Sequence, residues 1–329
     1  MVSSRLAVPV DGQVRLLTKV ARMYHERGIR QADIAKSLHI SQAKVSRLLK
    51  RAVDLGIVRT IVVVSQGVHA ELEEQLEERF GLLEAVVVDV DADADEGDVL
   101  GAVGSVAASH LEATLSGGDR IGISSWSQTL LAMLDRMRPF KVPAAETVVQ
   151  LLGGVGSPEV QVQAHRLLGE LARMLGADPV AVQAPGVVAD RRLRNALMKD
   201  ALGDVAGRWS QLTMALVGIG SIEPSELLAE SGNAFSAADR QRLLDQGAVG
   251  NVCHHYFTAE GTHIGGDLEQ RTISIPVPAY LAIPRRVGVA GGAHKHAAVR
   301  AAVRGGWVNV LVTDAITART LLELAPADA

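Results

Sequence analysis

Glycines, hydroxyl side chains and one lysine stand where several apolar runs of this 329-residue chain end. The clearest of these segments is Gly291-Gly292-Ala293-His294-Lys295, which precedes a helical pattern. Glycine allows a backbone to approach a ligand closely, and backbone N–H groups at the start of a helix bind anions such as phosphate. This position makes Lys295 the strongest single candidate for a phosphate-binding cation.

Three further loops have a similar composition. Residues 124–129 open a helix with hydroxyl side chains, and N-capping by one serine explains them equally well. The other two loops follow the apolar runs 147–152 and 213–219. Four such loops at one sheet edge indicate a ligand site more strongly than one glycine-rich turn does. The loops give these predicted effector-binding residues: Ser124, Ser125, Ser127, Gln128, Thr129, Gly153, Gly154, Gly218, Gly220, Gly291, Gly292 and Lys295.

Asp314 ends the last apolar run and is assigned to the same site, where its carboxylate would bind a sugar hydroxyl. Capping of the following helix is an equally good interpretation.

Residues 31–52 have the pattern of two short helices joined by a turn. Ser41 is a natural N-cap for the second helix, and His39 stands where many such turns have glycine for its positive φ. The second helix of a helix-turn-helix lies in the DNA major groove, so this segment predicts contact with double-stranded DNA. A solvated amphipathic helix pair is the alternative. The predicted DNA-binding residues are Gln31, Ser41, Gln42, Lys44, Ser46, Arg47, Lys50 and Arg51.

Charge separates this segment from the rest of the chain. Residues 1–60 contain twelve lysines and arginines and four acids, a net charge of +8. Because the whole chain carries −4, the remaining 269 residues carry −12. A basic segment on an acidic body indicates that nucleic-acid contact is confined to one module.

The elements that position these residues follow from apolar periodicity. A first helix is expected over 14–27, then the helix-turn-helix, then a strand or wing at 60–64. We therefore predict a winged-helix-like DNA-binding domain over 1–60 and an effector domain over 61–329. Residues 61–84 begin the effector domain as a linker strand and helix; the helical pattern 70–80 is either a joint between the domains or a packing helix.

From residue 85 onward, apolar runs alternate with helical patterns, which predicts a Rossmann-like, mostly parallel α/β sheet covered on both faces. Ligands bind such sheets where strands end and helices begin. The expected strands are 85–90, 120–124, 147–152, 180–182, 213–219, 286–290 and 308–313. The expected helices are 99–115, 127–138, 160–175, 191–201, 295–304 and 315–324.

Other chemistry finds little support in the sequence. Cys253 is the single cysteine, which excludes an internal disulfide and suits a reducing cytoplasm. His254 with His255, and His294 with His296, lack a partner cluster at metal-ligand spacing, so we predict no metal and no cofactor. No apolar run reaches the length of a membrane helix, and we see no signal peptide. A nucleophile elbow, a Walker A loop and a dinucleotide fingerprint are also missing.

Taken together, the motifs resemble those of the SorC family of sugar-binding transcriptional regulators, which is sometimes grouped with the deoxyribonucleoside (DeoR-type) regulators. The resemblance spans roughly residues 14–325 in family order. Its motifs are Gln31-Ala-Asp-Ile-Ala35, Ser41-Gln-Ala-Lys-Val-Ser-Arg-Leu-Leu-Lys-Arg-Ala52, Ile123-Ser-Ser-Trp126 with Thr129-Leu130, Val149-Gln-Leu-Leu-Gly-Gly154, Gly247-Ala-Val-Gly250, Val289-Ala-Gly-Gly292 with Lys295, and Asn309-Val-Leu-Val-Thr-Asp314.

The resemblance implies an effector domain similar in fold to sugar-phosphate isomerases and glucosamine-phosphate deaminases. It implies a phosphorylated sugar or polyol as effector, and oligomers, often tetramers (dimers of dimers), on a palindromic operator. Two positions differ from the family pattern. Ser127 stands where the family commonly has glycine, and Asn251, which we assign to the effector site, stands where it often has aspartate. The effector class is therefore a sugar, a sugar phosphate or a polyol.

The main hypothesis is an effector-controlled regulator of carbohydrate-metabolism genes, not an enzyme, that acts as a homo-oligomer. Gln42, Lys44, Ser46 and Arg47 are expected to read bases, whereas Lys50 and Arg51 contact phosphates. The alternative is a sugar-phosphate isomerase or lyase fused to a DNA module, in which Lys295 forms a Schiff base. A structural DNA-organising protein is the third interpretation, and it predicts no small-molecule pocket.

Overall fold

Three short helices organise the first part of the chain. In the computed structural model they are α1 (Gly12–Ala21), which continues into a π-helical turn (Arg22–Glu26), α2 (Gln31–Leu38) and α3 (Gln42–Asp54). The structure describes residues 12–58, 69–115, 117–153, 155, 158–224, 228–229 and 235–323. The predicted first helix and helix-turn-helix are both present. The predicted strand or wing at 60–64 lies outside the described residues.

Contacts divide the chain into two units, Met1–Ser65 and Gln66–Ala329. This division and the predicted boundary after residue 60 both fall in the undescribed stretch 59–68. The core of the first unit consists of buried apolar side chains from all three helices: Leu17, Val20, Ala21, Met23, Ile34, Ala35, Val45, Leu48, Leu49 and Ala52.

The turn between α2 and α3 has the conformation that the sequence pattern demands. His39 adopts φ 54° and ψ 42°, the left-handed region that glycine usually occupies. The N–H of Ile40 donates to Ala35 O at 3.0 Å and closes the turn. Ser41 Oγ accepts from the Lys44 N–H at 3.2 Å, so Ser41 is the predicted N-cap of α3.

The second unit is built on a seven-stranded parallel sheet, and each of the seven strands expected from residue 85 onward is present. The strands are β1 (Glu84–Val88), β2 (Asp119–Ile123), β3 (Ala145–Gln150), β4 (Asp178–Val180), β5 (Met214–Gly218), β10 (Arg285–Val289) and β11 (Val310–Asp314). Their order in the sheet is β1-β11-β10-β5-β2-β3-β4. The first strand of this sheet pairs with the last one, Glu84 opposite Val310 and Val88 opposite Asp314.

Helices cover both faces of this sheet. Successive residues of β5 alternate between two apolar cores, since Ala215 and Val217 belong to one and Met214 and Leu216 to the other. The helices are α4 (Ala70–Phe80), α5 (Glu96–Thr114), α6 (Gln128–Leu134), α7 (Pro158–Leu175), α8 (Arg191–Ala196) with a π-helical turn (Leu197–Ala201), α9 (Gly203–Trp209), α10 (Ala237–Asp245), α11 (Asp267–Arg271), α12 (Val277–Leu281), α13 (His296–Arg304) and α14 (Ala315–Glu323). Leu76 of α4 is fully buried in one core, so α4 is a packing helix of this unit.

The sequence did not predict a second, antiparallel sheet of four short strands. It consists of β6 (Gly220–Ser221), β7 (Ala248–Val252), β8 (His255–Thr258) and β9 (His263–Ile264). Cys253 and His254 form the tight turn between β7 and β8, with φ 51° and 62°. Two successive residues at positive φ match a type I′ hairpin turn, which usually contains asparagine, aspartate or glycine.

Within the part of the chain that the structure describes, none of the helices combines the length and apolar character needed to cross a bilayer.

Candidate functional site

A cavity of about 420 Å³ lies at the carboxyl end of the parallel sheet. The loops after β2, β5 and β10 line it together with the β7–β8 hairpin. The cavity brings together residues that the sequence assigns to the effector site: Ser124, Ser127, Gln128, Gly218, Gly220, Asn251 and Lys295.

The position of the cavity follows from the strand order. From β2 the sheet continues through β3 to β4 on one side, whereas β5, β10 and β11 lie on the other. The connections after β2 and after β5 therefore run in opposite directions and leave a crevice between them. Open α/β sheets bind ligands at such a point.

Two serines after β2 are held in place by backbone groups. Ser124 Oγ accepts a hydrogen bond from the Gly218 N–H at 3.2 Å, which ties this loop to β5. Ser127 Oγ accepts from the Leu130 N–H at 3.2 Å and caps α6. A hydroxyl that accepts one bond still has a proton to donate, so both serines remain donors for a ligand.

Gly218, the last residue of β5, and Gly220, the first residue of β6, make room for polar side chains. A Cβ atom on Gly218 would lie 2.5 Å from Ser127 Oγ, and one on Gly220 would lie 2.7 Å from Asn251 Nδ2. Asn251 Nδ2 donates to Ser221 O at 3.1 Å, which fixes the amide at the cavity wall. The glycines are therefore needed because protein side chains pack against them.

Lys295 supplies a cation to the cavity from the 3₁₀ turn Ala293–Lys295 after β10. Burial lowers the pKa of its ammonium group, and the nearby Glu96 carboxylate opposes this shift. Among the described residues, no carboxylate forms an ion pair with Lys295. His294 Nε2 lies 3.7 Å from Glu96 Oε1 at the same cavity. A half-buried ammonium group without a protein counterion is suited to binding an anion.

The β7–β8 turn contributes two residues that the sequence did not assign to the site. Cys253 and His254 line the cavity. Burial lowers the pKa of His254 to about 4, so its imidazole is neutral at pH 7. Its Nε2 is buried without a hydrogen-bond partner within the described part of the chain. A polar ligand is one group that can satisfy such a nitrogen.

Several predicted residues lie off the cavity wall: Ser125, Thr129, Gly153, Gly291, Gly292 and Asp314. Ser125 Oγ donates to Leu152 O at 3.3 Å. A Cβ atom on Gly153 would lie 2.2 Å from Pro185 O, so this glycine admits a neighbouring loop. Gly154 lies outside the described residues.

Asp314 is engaged by protein groups. Its carboxylate accepts from the Thr317 N–H at 2.7 Å and the Thr317 hydroxyl at 2.6 Å, and it therefore caps α14. It also accepts from the Gly292 N–H at 2.9 Å. Gly291 and Gly292 line a neighbouring cavity of about 300 Å³. In this structure Asp314 thus has the capping role that the sequence left open.

The second candidate surface is the outer face of α3. Its polar residues are all exposed: Gln42, Lys44, Ser46, Arg47, Lys50 and Arg51. The opposite face, with Val45, Leu48, Leu49 and Ala52, is buried in the three-helix core. Gln31 is half-buried at the start of α2, and Ser41 is exposed at the α3 N-cap. An exposed cationic helix with a buried apolar back is the geometry needed for major-groove contact.

Comparison with known proteins identifies the family to which this chain belongs. The family model described as "Putative sugar-binding domain" matches residues 66–323, which is most of the chain. The sorbitol operon regulator of Klebsiella pneumoniae is 29% identical over 313 residues, covering 94% of this chain and 98% of that protein. The chain belongs to the SorC family of transcriptional regulators.

Two further comparisons extend over nearly the whole chain. The deoxyribonucleoside regulator of Bacillus subtilis is 29% identical over 309 residues, covering 94% of this chain and 97% of that protein. The crystal structure of the full-length sorbitol operon regulator SorC from Klebsiella pneumoniae superposes with a TM-score of 0.71 at 28% identity. It covers 94% of this chain and 99% of that one.

Ser127 and Asn251, the two residues expected to differ from the family pattern, both have local roles. Ser127 caps α6, and Asn251 bonds to the β6 backbone. The unassigned residues Cys253 and His254 lie in a hairpin with no asparagine–glycine or aspartate–glycine signal. The adjacent histidines in the sequence were the signal that could have drawn attention to this turn.

Proposed function

We propose that the chain is a DNA-binding transcriptional regulator controlled by a sugar, a sugar phosphate or a polyol. One observation carries the proposal: several polar side chains and a half-buried lysine, which has no ion pair among the described residues, meet in a cavity at the switch point of the sheet. Relatives that match nearly the whole chain are named "Sorbitol operon regulator" and "Deoxyribonucleoside regulator".

The chemistry of the cavity suits a phosphorylated polyol. Ser124, Ser127 and Asn251 offer hydroxyl and amide groups for sugar hydroxyls, and the neutral His254 imidazole adds another polar group. Lys295 offers a charge-assisted bond to a phosphate. A volume of about 420 Å³ lies within the range of small-molecule pockets, about 300–1,000 Å³.

A thermal-shift screen with free and phosphorylated polyols, pentoses and deoxyribose tests this site. We expect phosphorylated members to raise the melting temperature, and Lys295→Ala to remove that shift. Lys141→Ala is the matched control, because Lys141 is exposed just before β3, at the opposite end of the sheet. An unchanged shift in Lys295→Ala would exclude Lys295 from the effector site.

The proposed output is DNA binding by α3. The operator sequence is unknown, so selection from a random duplex library with the full chain is the appropriate assay. We expect a palindromic sequence to be enriched, with an affinity that falls as salt rises and changes when the effector is added. Equal retention of all sequences at every salt concentration would contradict this proposal.

We infer that the cavity binds its ligand without turnover. The enzyme alternative has a specific observation in its favour, since the Glu96–His294 pair lies in the same cavity as Lys295 and can transfer protons. Incubation of the chain with the ligand that gives the largest thermal shift separates the two proposals. Unchanged NMR spectra and no borohydride-trapped adduct on Lys295 would support the sensor. Product formation would support the isomerase or lyase.

We also propose that the chain acts in the cytoplasm as a homo-oligomer, a dimer of dimers on the palindromic operator. Two-fold symmetric operators are read by two-fold symmetric proteins, because each half-site needs its own recognition helix. Light scattering of the free chain and of its operator complex measures the stoichiometry. A single chain per operator would contradict this proposal.

A further inference from the structure

A cluster of two histidines and one glutamate lies apart from the residues that line the effector cavity. His255 belongs to β8, His263 to β9 and Glu269 to α11. Each offers one nitrogen or oxygen atom, and these atoms all lie within 4.8 Å of one another. Three separate elements thus converge on one point.

His255 is oriented as a metal-binding histidine usually is. Its Nε2 lies 2.8 Å from Ile275 O. A carbonyl oxygen only accepts, so Nε2 carries the proton and Nδ1 keeps its lone pair. Nδ1 is buried and has no hydrogen-bond partner in the described chain. Burial lowers the pKa of His255 to about 4, which keeps the imidazole neutral. Metal-bound histidines typically hold their other ring nitrogen to a carbonyl or carboxylate in this way.

His263 and Glu269 complete a donor set. His263 Nε2 is buried without a hydrogen bond inside the described residues and lies 3.5 Å from Glu269 Oε1. Ligand bonds of about 2.0–2.1 Å in tetrahedral geometry put two zinc ligands about 3.4 Å apart. The separation of these two atoms therefore matches one ion placed between them.

We propose that His255, His263 and Glu269 bind one divalent transition-metal ion of the zinc type. Two imidazoles and one carboxylate suit zinc, whereas magnesium and calcium prefer oxygen ligands. The Glu269 side chain is 36% exposed, which gives the ion a route in and leaves room for a water as fourth ligand. The bound ion would link the β8–β9 hairpin to α11.

This proposal departs from the prediction of no metal site. Sequence spacing gave no signal, because the three ligands come from a strand, a second strand and a short helix.

The rings of His255 and His263 also pack against Trp307, with centroid distances of 6.1 and 5.7 Å. An indole wall shields the site on that side and restricts the rings to few orientations.

The test uses the full, tag-free chain after dialysis against a chelator. Titration with ZnCl₂ in a calorimeter should show one ion per chain and a higher melting temperature. Titration with CoCl₂ should give the visible absorption of a four-coordinate site. We expect His263→Gln to weaken zinc binding at least about 100-fold, more than the loss of an outer-shell partner typically does. His165→Gln, which replaces an exposed histidine on α7, should bind zinc like the original chain.

Circular dichroism establishes whether His263→Gln remains folded. If His263→Gln does not fold, zinc binding by Glu269→Gln tests the proposal instead, because Gln keeps the size of the side chain and removes its charge. Zinc binding that is equal in the original chain and in the folded variant would overturn the proposal. So would the absence of stoichiometric binding by the original chain, or an equal thermal shift with MgCl₂.

Discussion

The outer face of α3 and the cavity of the α/β unit present polar groups in opposite ways. On α3 the polar side chains are exposed, and only the apolar back of the helix enters the core of the first unit. In the cavity, Ser124, Ser127 and Asn251 are buried and bonded to backbone groups or wedged against glycines. Residues on α3 can therefore change without loss of the fold, whereas cavity residues determine the fold and the site together.

The largest expected effect is a loss of stability in acid, confined to the α/β unit. His254 and His255 have pKa values of about 4, below the ordinary value of about 6.5, because both are buried. The unfolded chain therefore binds more protons between these values, so the free energy of unfolding falls as the pH drops through this window. We expect a loss of about 2 kcal/mol per histidine between pH 7 and pH 5.

Urea unfolding followed by tryptophan fluorescence measures this change, because Trp126, Trp209 and Trp307 all belong to the second unit. A chelator in the buffer keeps metal binding separate. His255→Gln should show a smaller pH dependence. An equal free energy of unfolding at pH 7 and pH 5 would contradict the burial argument. His25 and His39 of the first unit are both exposed, so they are not expected to add to this pH dependence.

Gly153→Ala should be the most damaging glycine substitution among the predicted site residues. The added Cβ would meet the backbone oxygen of Pro185 at 2.2 Å, and we expect a loss of about 3 kcal/mol. The matched control is Gly169→Ala on α7, where the position is open and alanine should stabilise the helix by up to about 1 kcal/mol. Equal urea midpoints for the two variants would show that the loop around Gly153 can move.

Arg47→Ala on α3 should weaken DNA binding without changing the stability of the fold. Arg47 is exposed, so its loss should leave the urea midpoint unchanged. If it contacts a base, affinity for the selected operator should fall by about 1–3 kcal/mol, and specificity should relax at one position. Lys50→Ala is the comparison variant, expected to weaken all sequences alike and to reduce the salt slope by about 0.9. Identical behaviour of the two variants in fluorescence anisotropy would contradict the division into base and phosphate contacts.

The smallest expected effect is a gain in stability from His39→Gly. His39 holds φ 54°, which costs a non-glycine residue free energy in the folded state. Glycine removes that strain but adds freedom to the unfolded chain, so the net gain should be about 0.5 kcal/mol. Hydrogen exchange of the backbone amides of α2 and α3 measures the stability of this unit separately from the α/β unit. A clear loss of stability would mean that the His39 side chain makes a contact that outweighs the strain.

Sequence reasoning succeeded where local pattern and burial coincide. The seven parallel strands are buried on both faces, so each appears as an apolar run with a helix after it. The loops after β2, β5 and β10 were predicted because parallel strands place their carboxyl ends together. The helix-turn-helix followed from Ser41 and the spacing of the apolar residues.

The rest depended on contacts that no local pattern encodes. Strands β6 and β9 have two residues each, too few for periodicity. The turn at Cys253 and His254 uses residues that rarely adopt positive φ. The roles of Gly153 and Asp314 are set by Pro185 and Thr317, and the sequence left capping by Asp314 as one of two interpretations. Whether a strand-end residue meets a ligand or another loop is decided by tertiary packing.

The pairing of β1 with β11 has a consequence during biosynthesis. The parallel sheet cannot be completed until β11 has left the ribosome, because the strand that begins the sheet waits for the one that ends it. The helical unit has its own core of local contacts and emerges first. At about 5–20 residues per second, the unit proposed to bind DNA exists for roughly 10–50 s on each nascent chain before the unit proposed to bind the effector can fold.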